Sequence, residues 1–500
     1  GAPFIICGHN ENIAWGMTNV YVDNIDFYME IVNPEDSNQY EFNGEWKDMI
    51  IKKEIINTKE GNTIEREIRF THHGPVVSKF KGIKDKVVTM HWVGDETSNE
   101  FRSLYLMNRA SGWEEFKNAL RTFRSVSQNV VYADIYGNIG MYCAAGIPVR
   151  KRTEIYPLLP GWIDDYEWKE MLPFDMLPYS FNPEDGFVAS ANNKTVGEDY
   201  TYHIGTWYAC QQGMDRGKEI LSEKEELVVE DLKMLQLDQK SKLAEKHLPL
   251  ILNAVNKDKL KSNLEKEGIK MLKAWDCVYD TEDIAASILE TYYEKLIENI
   301  FSDELEEELY DRLLKAYKII RLALDKIAER KSSEWLDNMN TEDCTESFND
   351  IVEQSYKDAI YYLQQRYGDD IELWKWGNIH RFTLKHPLST VKILDKIFKL
   401  NRGPFKVGGS FHTVSPFSYP FGKPAEVNHG ASHRHIYTPE NWDNSITVIP
   451  TGNSGIPSSR HYCDQTGIYL KGEYLKDYFS EDQVKENSEY KMVFIPVDGY

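Results

Sequence analysis

No glycine or proline occurs between Gly268 and Gly368, although these two residue types supply 31 and 19 of the 500 residues. Glycine and proline are the residues that most often interrupt regular structure, so a long interval without either predicts a run of helices. Apolar residues recur there at three- and four-residue steps from Leu309 to Ile327. This spacing places them on one helix face, which we interpret as a face packed on a core rather than a partner-binding surface.

The regions on either side of this interval carry strand patterns. Apolar and polar residues alternate over 50–56 and 64–70 around the turn at Gly61, which predicts a β-hairpin. A second hairpin is predicted for 130–133 and 139–143, around Gly137. Short apolar runs, expected to be strands, return at 445–449 and 490–497.

Strands, then helices, then strands again, without internal repeats, favour an α+β protein interrupted by a helical insertion. On this basis we expect three regions. They are a first part of the core with hairpin extensions at 1–225, a helical segment at 226–372, and a return to the core at 373–500.

Composition excludes several classes of protein. The formal net charge is −22, which would repel phosphate, so neither nucleic acid nor an anionic membrane surface is an expected partner. No run approaches the roughly 18 consecutive apolar residues that would span a bilayer. The six cysteines contain no CxxC pair and are too sparse for a disulfide framework.

Common catalytic and metal-binding motifs are absent from the sequence. There is no P-loop, GxGxxG, HExxH or GxSxG pattern. We interpret His72 and His73 as a strand end entering a turn, because neighbouring strand residues point to opposite faces and rarely share one metal. His433 and His435 would share a strand face, but no third ligand is evident nearby.

Two stretches suggest more specific chemistry. Asp23 and Asp26 flank the carbonyl of Ile25, and such an oxygen cluster suits Ca²⁺, although a solvated turn is an equal alternative. Asn192 and Asn193 end the small-residue stretch that begins at residue 186. Their N–H groups could stabilise an oxyanion, or they could simply occupy a turn.

Together with other motifs, these stretches resemble a known family. Gly8-His9-Asn10-x-x-Ile13-Ala14-Trp15-Gly16-x-Thr18 is similar to a signature of the penicillin acylase (penicillin amidase) family, whose members are N-terminal-nucleophile amidohydrolases and include acyl-homoserine-lactone acylases. Further matches follow in order along the chain: His73-Gly74-Pro75, Tyr132-Ala133-Asp134, Leu159-Pro160-Gly161-Trp162, Ala189-Ser190-Ala191-Asn192-Asn193, Asp215-Arg216, Trp376-Gly377, His386-Pro387-Leu388 and Gly452-Asn453-Ser454-Gly455.

The resemblance implies an αββα sandwich of the N-terminal-nucleophile hydrolase type. It also implies a precursor that cleaves itself into a smaller α chain and a larger β chain. The β chain would begin with a Ser that attacks the amide carbonyl, with its own α-amino group as general base. This chain begins downstream of that Ser, so we expect it to be inactive alone and to require a separate α chain as partner.

Site residues are carried over from the same resemblance. The side chain of Asn192 and the backbone N–H of Asn19 would bind the oxyanion, and Arg216 would hold the surroundings of the nucleophile. Asp23, the carbonyl of Ile25 and Asp26 would bind a structural Ca²⁺. No organic cofactor is expected.

The acyl pocket is where this sequence departs from phenylacetyl-preferring acylases. Cys7 stands where those enzymes have a large aromatic residue, and Gln128 stands near a position expected to be apolar. We therefore expect an N-acyl amide such as a β-lactam antibiotic or an acyl-homoserine lactone. Both residues weaken a preference for phenylacetyl, and an aliphatic or otherwise different acyl group suits them at least as well. The alternative is a non-catalytic fragment or degenerate homologue that serves as a binding scaffold. The resemblance favours a periplasmic or secreted location, but a cytoplasmic one stays open.

Overall fold

The structure is a computed structural model that describes residues 3–80, 82–152, 156–341 and 344–495, with the side chains of Tyr317 and Lys318 left out. The chain divides into two compact units, residues 1–209 and residues 210–500. The predicted boundaries at 225/226 and 372/373 therefore do not coincide with this division, and the three-part organisation stays a prediction.

Unit 1 consists mainly of strands. Its strands are β1 (Gly8–His9), β2 (Ile13–Asn19), β3 (Ile25–Glu30), β4 (Gln39–Phe42), β5 (Glu45–Asp48), β6 (Ile50–Asn57), β7 (Thr63–Thr71), β8 (Gly74–Pro75), β9 (Val87–Trp92), β10 (Gln128–Asp134), β11 (Ile139–Ala144), β12 (Pro148–Arg150), β13 (Leu159–Pro160), β14 (Trp168–Met171) and β15 (Tyr179–Phe181). Its helices are α1 (Glu100–Met107) and α2 (Trp113–Ala119).

The central sheet of unit 1 is antiparallel, with the strand order β1-β2-β10-β11-β15. Alternate residues of β2 and β10, such as Trp15 and Tyr132, are directly paired and buried against α1 and α2. The close approach of α2 requires a glycine in β11. A Cβ at Gly140 would lie 2.5 Å from the indole of Trp113. This packing fixes one face of the sheet, and the candidate site lies at the ends of its strands.

Both predicted hairpins are confirmed. The strands β6 and β7 pair antiparallel, and Gly61 supplies the positive φ of their turn. The strands β10 and β11 pair in the same way around Gly137, which also has a positive φ. A smaller sheet, β13-β3-β9, places β13 parallel to β3.

Unit 2 is mainly helical and ends in short strands. Its helices are α3 (Gln212–Leu221), α4 (Val229–Leu237), α5 (Lys242–Ala254), α6 (Asn263–Ala274), α7 (Ile284–Phe301), α8 (Glu307–Lys315), α9 (Tyr317–Arg330), α10 (Phe348–Tyr367), α11 (Trp376–Ile379), α12 (Lys392–Phe398), α13 (Thr466–Leu470) and α14 (Glu481–Asn487). Its strands are β16 (Arg381–Leu384), β17 (Arg402–Lys406), β18 (Phe417–Ser418), β19 (His429–Gly430), β20 (Arg434–Ile436), β21 (Ile446–Val448) and β22 (Leu475–Lys476).

The helical character of the interval without glycine or proline is confirmed by α7 to α10. Helix α7 is buried on nearly all sides and packs against α10 and α6. In this interval, which lacks glycine and proline, helix caps mark the start of α10 and the end of α9. Ser347 and Asp350 form a capping box at the start of α10, and α9 ends at Lys331, which adopts a left-handed conformation.

The C-terminal strand predictions had mixed outcomes. The run at 445–449 forms β21, as expected. Residues 490–495 form no strand and are exposed, so that prediction is wrong over these residues. Nothing in the described chain packs on them, and an apolar run without a partner strand gains nothing from extended pairing. The last two positions of this run, 496 and 497, lie outside the described residues.

Within the described ranges, none of the helices combines the length and the apolar character needed to cross a lipid bilayer.

Candidate active site

The structure brings Asn192 and Asn19 together. Asn19 is the last residue of β2 and is exposed, and Asn192 lies in the loop after residue 186 with a left-handed φ of 59°. The Nδ2 of Asn192 donates to the main-chain oxygen of Asn19 at 2.9 Å. An amide NH₂ has two donors, so one N–H can hold this carbonyl while the other remains available to a ligand.

Ser190 anchors the loop that carries Asn192 to the central sheet through two hydrogen bonds of its hydroxyl. The hydroxyl of Ser190 lies 2.6 Å from Oγ1 of Thr18 and accepts from Nδ2 of Asn129 at 3.0 Å. Thr18 and Asn129 are paired in the register of β2 and β10. The carbonyl of Asn192 itself accepts from the N–H of Ala209 at 3.0 Å. The position of Asn192 is therefore set by the central sheet rather than by a free loop.

Gln128 lies beside this pair. It is directly opposite Asn19 in the register of β10 and β2, and its Nε2 donates to Oδ1 of Asn19 at 2.9 Å. The predicted pocket residue thus contacts a predicted oxyanion residue.

Cys7 precedes β1 and is partly buried. Burial raises the pKa of its thiol, and a main-chain hydrogen bond from Met17 opposes that shift. Met17 lies in β2, two residues before Asn19, so this hydrogen bond places Cys7 beside that strand. A raised pKa keeps the thiol of Cys7 neutral. The side chain is therefore a small apolar surface rather than a nucleophile.

Arg216 belongs to unit 2 and lies in α3. Its guanidinium donates to both carboxylate oxygens of Asp238, at 3.1 and 2.7 Å, and contacts Glu219 at 3.1 Å. The hydrogen bond with Asp238 raises the pKa of Arg216. The side chain is therefore held rigidly as a cation, and its role near a nucleophile stays a prediction.

Asp23, Ile25 and Asp26 line one cavity of about 660 Å³ in unit 1. Here an arginine lies where the resemblance implies calcium. Nε of Arg150 is 2.8 Å from Oδ2 of Asp26, and its Nη2 donates to the carbonyl oxygen of Asp23 at 2.8 Å.

Two further side chains hold the same carboxylates. Trp168 donates its indole N–H to Asp26 at 2.6 Å, and Nε2 of His203 lies 2.9 Å from Asp23.

These contacts test whether calcium fits the residues present. Ca²⁺ takes six to eight oxygen ligands, whereas Asp23, Ile25 and Asp26 together offer only two carboxylates and one carbonyl oxygen. The guanidinium of Arg150 already contacts both carboxylates. The arrangement as it stands does not fit the ion. Calcium binding stays a prediction that requires Arg150 to move and other groups to supply oxygens.

His72 and His73 lie in the turn between β7 and β8, so the predicted strand end entering a turn is confirmed. The argument that the two side chains point to opposite faces is wrong, because their ring centroids are 3.8 Å apart. Nε2 of each ring contacts Oε1 of Glu167, at 3.3 Å for His72 and 2.7 Å for His73. No sequence signal pointed to Glu167, because it lies far along the chain from both histidines.

His433 directly precedes β20 and His435 lies within it, and the two rings lie on the same side of the chain, as the pattern indicated, with their centroids 4.6 Å apart. Their Nδ1 atoms are 3.3 Å apart. Among the residues that the structure describes, only His72, His73 and Glu167 form a group of three potential metal ligands, so the pair at β20 lacks a third.

Comparison with known proteins identifies the class of fold first. The structure is similar to a thermostable penicillin G acylase from Alcaligenes faecalis, with a TM-score of 0.71 and 19% sequence identity, covering 100% of this chain and 91% of that one. The α+β class and the N-terminal-nucleophile hydrolase fold are thereby confirmed. The sequence also matches the profile of the penicillin amidase family over residues 1–486, and the chain belongs to that family.

Two curated relatives cover nearly the whole chain. An acyl-homoserine lactone acylase QuiP from Pseudomonas fluorescens (strain Pf0-1) is 24% identical over 496 residues, which span 95% of this chain and 59% of the relative. The penicillin acylase 2 proenzyme of Pseudomonas sp. (strain SE83) is 24% identical over 497 residues, spanning 98% and 61%. The chain thus corresponds to about three fifths of these proteins.

Proposed function

We propose that the protein containing this chain is an acylase that hydrolyses the amide bond of an N-acylated small molecule. The observation that carries the proposal is the hydrogen bond from Asn192 to the carbonyl of Asn19, which joins two predicted oxyanion donors at an exposed strand end. Membership of the penicillin amidase family supports the same reaction class. The two acylases that match most of this chain support it further.

In this proposal Asn19 and Asn192 stabilise the negative charge of the reaction intermediates, and neither attacks the amide carbonyl. An N-terminal Ser outside this chain would form the acyl-enzyme and release the amine, and water would then release the carboxylic acid. The free N–H of Asn192 and the main-chain N–H of Asn19 would donate to the negative oxygen of each tetrahedral intermediate. Since both donors are positioned before substrate arrives, little reorganisation would accompany the reaction.

The proposal includes a choice of acyl group. Cys7 contributes a small neutral side chain and Gln128 a polar amide, and neither provides the aromatic surface that would favour a phenylacetyl ring. An aliphatic acyl chain, as in an acyl-homoserine lactone, suits these residues better. The name of the QuiP relative is consistent with this choice.

The test compares this chain with the complete gene product. The complete protein should release a coloured aniline from an N-acyl aniline, and should cleave an aliphatic derivative faster than a phenylacetyl derivative. This chain alone should show no turnover above background, because a single Ser, which is not part of this chain, would supply both the nucleophile and the general base. Turnover by the chain alone would contradict the N-terminal-nucleophile mechanism. An inactive complete protein with a correctly cleaved N-terminus would favour the binding scaffold instead.

A further inference from the structure

We propose that His72, His73 and Glu167 form a binding site for a divalent transition metal, with Zn²⁺ as the best-suited ion. The three candidate ligand atoms lie within 4.8 Å of one another in unit 1. Two imidazole nitrogens and one carboxylate oxygen are a ligand set that Zn²⁺ commonly takes, with solvent completing the tetrahedron. The proposal does not depend on the acylase function.

Two of the three distances between the candidate ligand atoms are close to those that a bound ion would impose, and the third is at most 4.8 Å. Zinc–nitrogen and zinc–oxygen bonds of about 2.0–2.1 Å in a tetrahedron place neighbouring ligand atoms about 3.3 Å apart. Nε2 of His72 is already 3.3 Å from Oε1 of Glu167. Nε2 of His73 is 2.7 Å from the same oxygen, so this pair would need to separate by roughly 0.6 Å on metal binding.

A second observation comes from the hydrogen bonds of His73. Its Nδ1 lies 2.9 Å from Oε1 of Glu30, a carboxylate whose side chain is fully buried. That oxygen also accepts from the hydroxyls of Thr71 and Thr89, at 2.8 and 2.6 Å. Because a carboxylate only accepts, Nδ1 of His73 carries the proton and donates to Glu30.

This assignment leaves a charge problem at the other nitrogen. In neutral His73 the lone pair of Nε2 would face the acceptor oxygen of Glu167 at 2.7 Å, which is repulsive. With Glu167 ionised, the contact requires a positive charge at Nε2, and either a proton or a metal ion can supply it. A metal also accounts for the approach of His72 to the same oxygen.

Second partners orient both imidazoles, as they do in known metal sites. Glu30 holds His73, forming a carboxylate–histidine pair, and the phenol oxygen of Tyr40 lies 3.0 Å from Nδ1 of His72. Tyr28 stacks on His73 at a centroid distance of 3.7 Å, which fixes its ring plane. His72 and Glu167 remain partly exposed, so an ion and its water ligand can enter from solvent.

The first experiment titrates Zn²⁺ into the purified complete protein by calorimetry and compares variants. Wild type should bind one equivalent. His72→Gln and Glu167→Gln should each weaken binding by more than the about 10–100-fold that the loss of a second partner costs. Tyr40→Phe, which removes only such a partner, should weaken binding within that range. The control His433→Gln removes an imidazole from the pair at β20 and should leave the affinity unchanged.

A second readout separates loss of the site from loss of the fold. Zn²⁺ should raise the thermal midpoint of wild type and His433→Gln but not that of His72→Gln, while circular dichroism without metal should be the same for all three. Substitution with Co²⁺ should give the visible absorption of a tetrahedral site with nitrogen and oxygen ligands. The proposal is wrong if wild type binds no zinc, or if His72→Gln binds it as tightly as wild type. In either case the positive charge between His73 and Glu167 is a proton.

Discussion

The side-chain amide of Asn192 and the carbonyl oxygen of Asn19 are joined by a 2.9 Å hydrogen bond across 173 residues of sequence. Because this bond uses one amide N–H, it fixes the direction of the other. The second predicted donor, the main-chain N–H of Asn19, belongs to the preceding peptide and takes no part in this bond. The contact thus orients the Asn192 half of the proposed oxyanion hole and holds it beside Asn19.

The first prediction concerns this hole. In the complete protein, which we propose to be an acylase, Asn192→Ala should lower kcat by about 10²–10³, the usual cost of one lost oxyanion donor. The effect on KM should be much smaller, since the donor acts mainly in the transition state. Steady-state kinetics on an N-acyl aniline provide the measurement.

Asn182→Ala is a matched control for that variant. Asn182 also has a left-handed φ, at 47°, and also donates through Nδ2, here to Asn138 at 2.8 Å. Both variants lose an asparagine from a strained backbone position, so a general loss of stability would affect them alike. Equal kcat values for the two variants would place the oxyanion hole elsewhere.

The second prediction concerns Arg150 and calcium. Arg150→Met should destabilise the protein by up to about 3–5 kcal/mol, the cost of removing one partner of a buried ion pair, since of its described partners Asp26 would keep only the indole N–H of Trp168. Its partner Asp26 is only 12% exposed, so water cannot replace the guanidinium fully. Denaturant unfolding of wild type and variant gives the difference in free energy.

Added Ca²⁺ then distinguishes the two ways of neutralising Asp23 and Asp26. In wild type the ion must displace the guanidinium, whereas in Arg150→Met only the neighbouring Trp168 and His203, among the described side chains, contact the carboxylates. We therefore expect Ca²⁺ to raise the thermal midpoint of Arg150→Met more than that of wild type, and a chelator to reverse the rise. If Ca²⁺ shifts neither midpoint, these carboxylates do not form a calcium site.

The third prediction concerns pH and His247. This side chain is fully buried in unit 2 against Tyr292 and Tyr293, and neither ring nitrogen has a hydrogen-bond partner among the described residues. Burial lowers the pKa of His247 from 6.5 to about 4. Between these values the unfolded chain binds a proton that the folded chain does not.

The sign of the effect follows from that difference. The contribution of neutral His247 is complete above pH 6.5 and is lost as the pH falls towards 4, amounting to about 3 kcal/mol over the whole range. His247→Leu should remove this part of the pH dependence, as measured by denaturant unfolding at pH 7.0, 5.5 and 4.5. A variant with the same pH slope as wild type would show that other groups cause it.

How much of the fold was predictable depends on how local its signals are. Both hairpins followed from alternation around Gly61 and Gly137, because turn chemistry acts over a few residues. The helices between Gly268 and Gly368 followed from composition and spacing in the same way. The strand expected at 490–495 failed because pairing depends on a partner elsewhere in the chain, which an apolar run cannot reveal.

The candidate site shows the same limit. Asn19, Gln128 and Asn192 were predicted through resemblance to a family, and the structure brings them together. The partners Arg150 and Glu167 were missed, since each reaches its contacts from a strand or turn far away in sequence. Long-range electrostatic pairs leave no periodic pattern, so only the folded chain reveals them.

The fourth prediction compares two helical glycines, Gly217 in α3 and Gly268 in α6. Alanine is favoured over glycine in a helix interior by about 1 kcal/mol. A Cβ at Gly217 would have no atom within 4 Å, so Gly217→Ala should stabilise unit 2 by about that amount. A Cβ at Gly268 would lie 2.7 Å from the hydroxyl of Tyr356 and 2.9 Å from Cδ1 of Ile360.

Neither of these neighbours can move away easily. Ile360 is 2% exposed, and the hydroxyl of Tyr356 donates to the carbonyl of Glu265 at 2.5 Å. Overpacking of this kind costs about 1–3 kcal/mol, which equals or exceeds the gain in helix propensity. Gly268→Ala should therefore be neutral or destabilising by up to about 2 kcal/mol, with unfolding midpoints of both variants measured under the same conditions. If Gly268→Ala stabilises the protein as much as Gly217→Ala does, α6 and α10 do not pack as closely as described.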